Sequence, residues 1–248
     1  MANGSEARTC CLPQEGFVKR SFNWLLPWNA AAFVPICLAL LLFGCGREGL
    51  DDVRNLDSLG DTVVCFGDSL TEGVGAAPGE DYPSVLGRQL GLPVINAGRR
   101  GDTTGEALRR LESDVLERNP RLVVVLLGGN DFLRQISLVE TRQNLDEIVG
   151  RIQARGAMVV LAGMTLGLFT DEYSPMFQEI AERSGALYVP QVLKGILSDS
   201  KLKSDPIHPN GTGYRRIAER LAEKIKPLLA KANRRRARDA SPSAGARR

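Results

Sequence analysis

The chain of 248 residues contains a single histidine, His208. That scarcity removes whole classes of chemistry, because zinc and non-haem iron sites commonly draw on two or more imidazoles. Cysteine offers a metal little more. Cys10, Cys11 and Cys37 lie in or before an apolar leader, Cys45 ends it, and Cys65 stands alone in a later apolar run. No pair has zinc-type spacing and no disulfide framework is available, so Cys65 reads as a small buried hydrophobe. A phosphate loop is missing as well: Gly73-Val74-Gly75 has no lysine at the required spacing and lacks the full dinucleotide fingerprint. No cofactor and no metal are expected. Charge of one sign is also lacking, since 32 basic residues face 29 acidic ones for a net +3. No nucleic-acid partner is expected.

What is present suits one domain with extensions. Hydrophobic residues at 43% and charged residues at 25% are ordinary for a globular chain. Near the start, Lys19 and Arg20 precede an apolar stretch from about Trp24 to Gly44, broken by Pro27, Asn29 and Pro35. A basic region, an apolar core and a small residue before a cut site describe an export signal. Leu42-Phe43-Gly44-Cys45 resembles a bacterial lipobox, in which cleavage precedes a cysteine that then carries lipid, although Phe43 is bulky for its place. Residues 1–45 are therefore expected to be a signal or anchor segment, with Cys45 as the lipidation site. An uncleaved membrane anchor is the alternative, since about 20 apolar residues can span a bilayer; a cleaved secretory signal is a third. All three export or anchor the folded portion, with the periplasmic side of the bacterial cell envelope as the expected address and secretion as the alternative.

Residues 46–60 are polar and read as a linker, 61–230 as the folded domain, and 231–248 as a basic disordered tail. The tail runs from Arg234-Arg235-Arg236-Ala237-Arg238 into Ser241-Pro242-Ser243-Ala244-Gly245. It is either a solvated end or a contact for anionic headgroups or nucleic acid.

Within the domain, short apolar runs alternate with helical stripes. Strands are expected at Thr62–Phe66, Pro93–Asn96, Leu122–Leu127, Met158–Ala162 and Ala186–Val189. Their runs are continuous rather than alternating, which indicates strands covered on both faces. Helical stripes appear around Leu108–Leu116, with Thr103 or Thr104 as cap, and around Leu145–Ile152 and Met176–Ala181. A last stripe, Tyr214–Ile225, is expected to kink or stop near Pro227. The expected fold is a three-layer α/β/α domain on a mostly parallel, doubly wound five-stranded sheet.

Three polar, glycine-rich segments begin where an expected strand stops. They are Gly67-Asp68-Ser69-Leu70, Ala97-Gly98-Arg99-Arg100-Gly101-Asp102-Thr103-Thr104, and Gly128-Gly129-Asn130-Asp131. In an open parallel sheet such loops line one crevice, where ligands bind. Taken singly, Ser69 would read as a helix cap, Asn130 and Asp131 as turn residues, and Gly98 and Gly101 as turn glycines. The solitary imidazole changes the weighing. A Ser-His-Asp system needs a carboxylate to orient its imidazole, and Asp205 lies three positions before His208.

Those segments, with Asp205-Pro206-Ile207-His208, resemble the blocks of the GDSL, or SGNH, hydrolases, across about Asp61 to Leu229. The small esterases of the arylesterase and acyl-CoA thioesterase I (lysophospholipase) type are the nearest in kind. The resemblance implies the flavodoxin-like fold of that family. It also implies that Ser69 is the nucleophile, Asp205 and His208 the acid and base, and Ser69, Gly101 and Asn130 the oxyanion donors. Pro206 departs from the pattern, standing where similar enzymes often have glycine, and it stiffens the turn. An acyl ester or lipid is the implied substrate, and Gly163–Phe169 is a candidate apolar wall for its acyl chain. A carbohydrate O-acetylesterase of the envelope and a non-catalytic binding lipoprotein are the competing readings.

Overall fold

The computed structural model describes residues 49–165 and 171–240. The leader and Cys45 therefore lie outside the described residues, as do 166–169 of the candidate apolar wall and the last eight residues.

Five strands form one parallel sheet in the order β2-β1-β3-β4-β5. They are β1 (Thr62–Gly67), β2 (Val94–Gly98), β3 (Pro120–Leu126), β4 (Met158–Ala162) and β5 (Leu187–Val189). Val63, Val64, Cys65 and Phe66, like Leu122–Leu126 and all of β4, are buried. That is why their sequence shows runs instead of alternation. Edge strand β2 is only partly covered.

Seven helices accompany the strands among the described residues: α1 (Ser69–Glu72), α2 (Tyr82–Leu90), α3 (Thr104–Asp114), α4 (Gly129–Leu133), α5 (Leu138–Ala154), α6 (Tyr173–Ser184) and α7 (Gly211–Asp239). Helix α2 packs on α7, while α3 packs on α5 and α5 on α6. Helices thus cover both sides of the sheet, giving the three-layer, doubly wound α/β architecture. Helix α2 shows no long apolar stripe, yet its ends are signalled locally. The Asp81 side chain accepts from Ser84 N, Pro83 opens the first turn, and Gly91 closes the helix in the left-handed region. At α3 the cap is Thr103, paired with Glu106 in a reciprocal box.

Two expectations about the ends are corrected. The segment 46–60, expected to be a linker, is built into the fold from Gly49 onward. Val53 and Leu56 are buried in the core. The Arg54 N–H donates to Gly185 O at 2.9 Å, and the Asn55 amide donates to both Gln153 O and Ala157 O at 2.9 Å. Two apolar side chains and a few well-aimed donors anchor a segment that composition alone calls polar.

The disordered tail expected from 231 does not begin there either, because α7 continues to Asp239. Its buried stripe Leu221, Ile225, Leu228, Leu229 and Ala232 carries straight past Pro227. Pro227 sits on the exposed face, so the carbonyl it leaves unbonded can turn to water, and no stop results. Alanine, lysine and arginine are strong helix formers, and the helix breakers arrive only at Ser241-Pro242.

Candidate active site

The order of strands reverses between β1 and β3, the place where open α/β sheets bind ligands. The segments after these strands meet there.

After β1, Asp68 caps α1 by accepting from Leu70 N at 2.9 Å. Ser69 occupies the first turn. The helix can approach the end of β2 only because Gly98 is bare: a Cβ there would lie 2.1 Å from Glu72 N. The Gly101 loop after β2 turns at φ 82°, a conformation that favours glycine. Its carbonyl accepts from Arg134 Nη2 at 2.7 Å. The backbone N–H groups of Ser69 and Gly101 have no acceptor among the described residues.

The histidine comes from a tight turn before α7. Lys203 and Pro209 pair across this turn, and Ser204 N donates to His208 O at 3.0 Å. Asp205 Oδ1 accepts from Ile207 N and His208 N, each at 2.9 Å, and its Oδ2 lies 2.7 Å from His208 Nδ1. Proline at 206 removes one N–H, and the next two residues supply the donors. On the other side of the ring, His208 Nε2 stands 3.0 Å from Ser69 Oγ. A continuous path therefore runs from carboxylate through imidazole to hydroxyl, joining residues 139 positions apart. Hydrogen bonding from Ile207 and His208 holds the Asp205 carboxyl below the usual range, so it stays ionised.

Asn130 lies in α4 beside this path. Its amide donates to Asp102 O at 3.0 Å and, more weakly, to Asp68 Oδ2 at 3.3 Å. The adjoining Asp131 is fully buried and locks α4 to α3, accepting from Thr104 N at 2.8 Å and Thr104 Oγ1 at 2.5 Å. Burial pushes the Asp68 carboxyl up to about 6, the Leu70 hydrogen bond opposing it.

One ion pair braces the ends of β1 and β2. Arg110, nearly buried, donates to Asp102 Oδ2 at 2.5 Å, to Gly67 O at 2.8 Å and to Ala97 O at 3.0 Å. Its guanidinium lies 4.6 Å from the Phe66 ring centre. The sequence assigns Arg110 no role, and it offers Asp131 and Thr104 only as turn and cap residues. The available signal was weak: Arg110 and Leu111 follow the Gly-Asp-Thr-Thr run on α3, and a charged side chain so rarely buried looks like solvent-facing surface.

A cleft of about 620 Å³ opens over Ser69 and His208. Its walls include Leu70, Phe132, Leu133, Met164, Leu197 and Ile207. Phe132, Leu133 and Ile207 are 40%, 56% and 47% exposed, an apolar rim on the mouth. From the expected wall 163–169, Met164 and Thr165 line the cleft. Among the described residues no group of three or more His, Cys, Asp or Glu could hold a metal.

The GDSL-like lipase/acylhydrolase family model matches residues 65–216. Esterase TesA of Pseudomonas aeruginosa is 30% identical over 202 residues, covering 77% of this chain and 99% of the relative. Thioesterase 1/protease 1/lysophospholipase L1 of Escherichia coli is 29% identical, over 84% of this chain and 95% of the relative. An acetylxylan esterase of Geobacillus stearothermophilus is 26% identical, over 73% and 88%. The crystal structure of TesA superposes with a TM-score of 0.64 at 30% identity, covering 68% of this chain and 99% of that one. This chain belongs to the GDSL-like lipase/acylhydrolase family and is a carboxylic ester hydrolase.

Proposed function

We propose that the protein cleaves acyl esters through a serine acyl-enzyme, with Ser69 as nucleophile, His208 as general base and Asp205 as its orienting carboxylate. The observation that carries this reading is the pair of contacts on one ring, 2.7 Å to Asp205 and 3.0 Å to Ser69. A serine hydroxyl is a poor nucleophile until a base within hydrogen-bond reach takes its proton. His208 Nε2 takes that proton as Oγ attacks the carbonyl, and ionised Asp205 stabilises the imidazolium. The imidazolium then protonates the leaving alcohol or thiol, and water repeats the sequence on the acyl-enzyme. The tetrahedral oxyanion is received by the free N–H groups of Ser69 and Gly101. Asn130 joins them by trading its weaker 3.3 Å bond to Asp68 for the substrate oxygen.

The apolar cleft favours an acyl chain longer than acetyl, in an aryl ester, a thioester or a lysophospholipid. Two relatives carry names in keeping with this, esterase and thioesterase/lysophospholipase. A second reading, carbohydrate O-acetylesterase, is favoured by the acetylxylan esterase among the relatives. Rates on acetyl and octanoyl p-nitrophenyl esters separate them: activity that falls with chain length rejects the long-chain reading. Labelling by a fluorophosphonate probe, lost in Ser69→Ala, tests the mechanism. An unlabelled wild-type protein would instead indicate a binding module on the same fold.

We place the enzyme at the periplasmic side of the bacterial envelope, held by a lipid on Cys45 or by an uncleaved anchor. Incorporation of labelled fatty acid tests the first, and uptake that persists in Cys45→Ala rejects it.

A further inference from the structure

We infer that the end of the molecule opposite the cleft is a docking surface for an anionic phospholipid bilayer, so that the active site faces away from the membrane. This extends the envelope reading above. Helix α7 starts beside His208 and runs back along the sheet, and about 35 Å of helix separates Gly211 from Arg234. At its far end Arg234, Arg235, Arg236 and Arg238 form no ion pair among the described residues. The cluster lies against the amino ends of the strands, because Asn233 accepts from Arg121 at the start of β3. Burial, and then the neighbouring charge of Arg236, lowers the Arg121 pKa.

Two further features share this end. Leu59, an apolar side chain, is 83% exposed, and the next residue, Gly60, packs on the Pro120 carbonyl at the start of β3. The chain also enters the described fold here: Asp51 pairs with Lys231 of α7, and Val53 and Leu56 are already buried. The described chain thus begins at the cationic end, and residues from Gly49 to β1 are built into the fold rather than left as a free tether. Asp52, Asp57 and Asp61 are exposed at the same end, so the attraction belongs to the helix terminus and not to the entire face.

A basic side chain near an anionic membrane strengthens binding about fivefold, and the effect fades within about 10 Å at ordinary salt. Four arginines together are worth on the order of a few hundredfold. An ester in the supporting bilayer is then out of reach of the cleft, whereas one in water or on the wall side is not.

The test is hydrogen exchange of the full chain bound to phosphatidylglycerol or phosphatidylcholine vesicles. Exchange across 231–239 is expected to slow by an order of magnitude or more on phosphatidylglycerol alone. In the variant Arg234→Gln/Arg235→Gln/Arg236→Gln/Arg238→Gln that slowing should vanish while hydrolysis of a water-soluble ester is unchanged. Equal exchange on the two lipids overturns the inference. So does slowing that survives in the variant, that appears at Phe132, Leu133 and Ile207 instead, or that a single-stranded oligonucleotide produces where vesicles do not. Failure of the anchor reading shows separately, as chain left unbound by phosphatidylcholine vesicles.

Discussion

The two ends of the sheet treat backbone polar groups in opposite ways. At the carboxyl ends of β1 and β2, the N–H groups of Ser69 and Gly101 have no acceptor among the described residues. At the amino ends, Asn55 spans two carbonyls, Arg54 closes a third and Thr62 Oγ1 donates to Arg118 O at 2.7 Å. Two buried side-chain atoms there, Ser58 Oγ and Arg121 Nε, have no hydrogen-bond partner among the described residues. Open donors at the rim of a cleft are available to a developing charge; satisfied ones contribute to stability and to nothing else. A substitution at one end should change rate with little change in stability, and a substitution at the other should do the reverse.

The largest effect belongs to Ser69→Ala, which is expected to lower kcat at least about 10⁴-fold with the melting temperature nearly unchanged. Ester hydrolysis and thermal unfolding on one preparation check both halves. Residual activity near wild type would remove Ser69 from the mechanism. Asn130→Ala comes next, with a loss in kcat of about 10²–10³. Because the amide also bonds Asp102 O and Asp68 Oδ2, some loss of stability accompanies it, about 1 kcal/mol. A variant that lost stability but kept its kcat would make Asn130 a loop brace only.

At the other end Leu56→Ala should invert the pattern. Leu56 is 3% exposed within the core cluster, so truncation should cost about 2–5 kcal/mol of unfolding free energy and leave kcat unaltered. Urea denaturation gives the first number. A variant as stable as wild type would mean that the segment before β1 is a tether after all.

The same contrast explains what could be read in the sequence. The five strands, the sheet's parallel character and the meeting of Ser69, Asp205 and His208 were legible, because buried parallel strands make continuous apolar runs and the lone imidazole had one adjacent carboxylate. What escaped were residues whose role depends on a single partner distant in sequence. Arg110 looks like surface until Gly67 O and Asp102 surround it. Asn55 looks like turn chemistry until the carbonyls of Gln153 and Ala157 arrive. Helix α7 overran its expected end for a related reason. Composition flagged a charge run, whereas buried Leu228, Leu229 and Ala232 on the opposite face kept the helix going.

The smallest effect sharpens the comparison within the site itself. Two aspartates flank the proposed chemistry, and their surroundings push them apart. Exposed Asp205, with donors from Ile207 and His208, is held low; buried Asp68 is raised to about 6. An unfolded aspartate titrates near 3.9, so between about pH 4 and pH 6 folded Asp68 keeps a proton that the unfolded chain has released. Stability from this group is therefore complete below pH 4 and falls as pH rises toward 6. Asp68→Asn holds the neutral form at every pH. The difference in unfolding free energy between variant and wild type should then move in the variant's favour from pH 4 to pH 7, by at most about 3 kcal/mol. Thermal unfolding across that range measures it. Parallel curves for the two proteins would mean that Asp68 is ionised throughout, and that Asn130 faces a full carboxylate charge at every working pH.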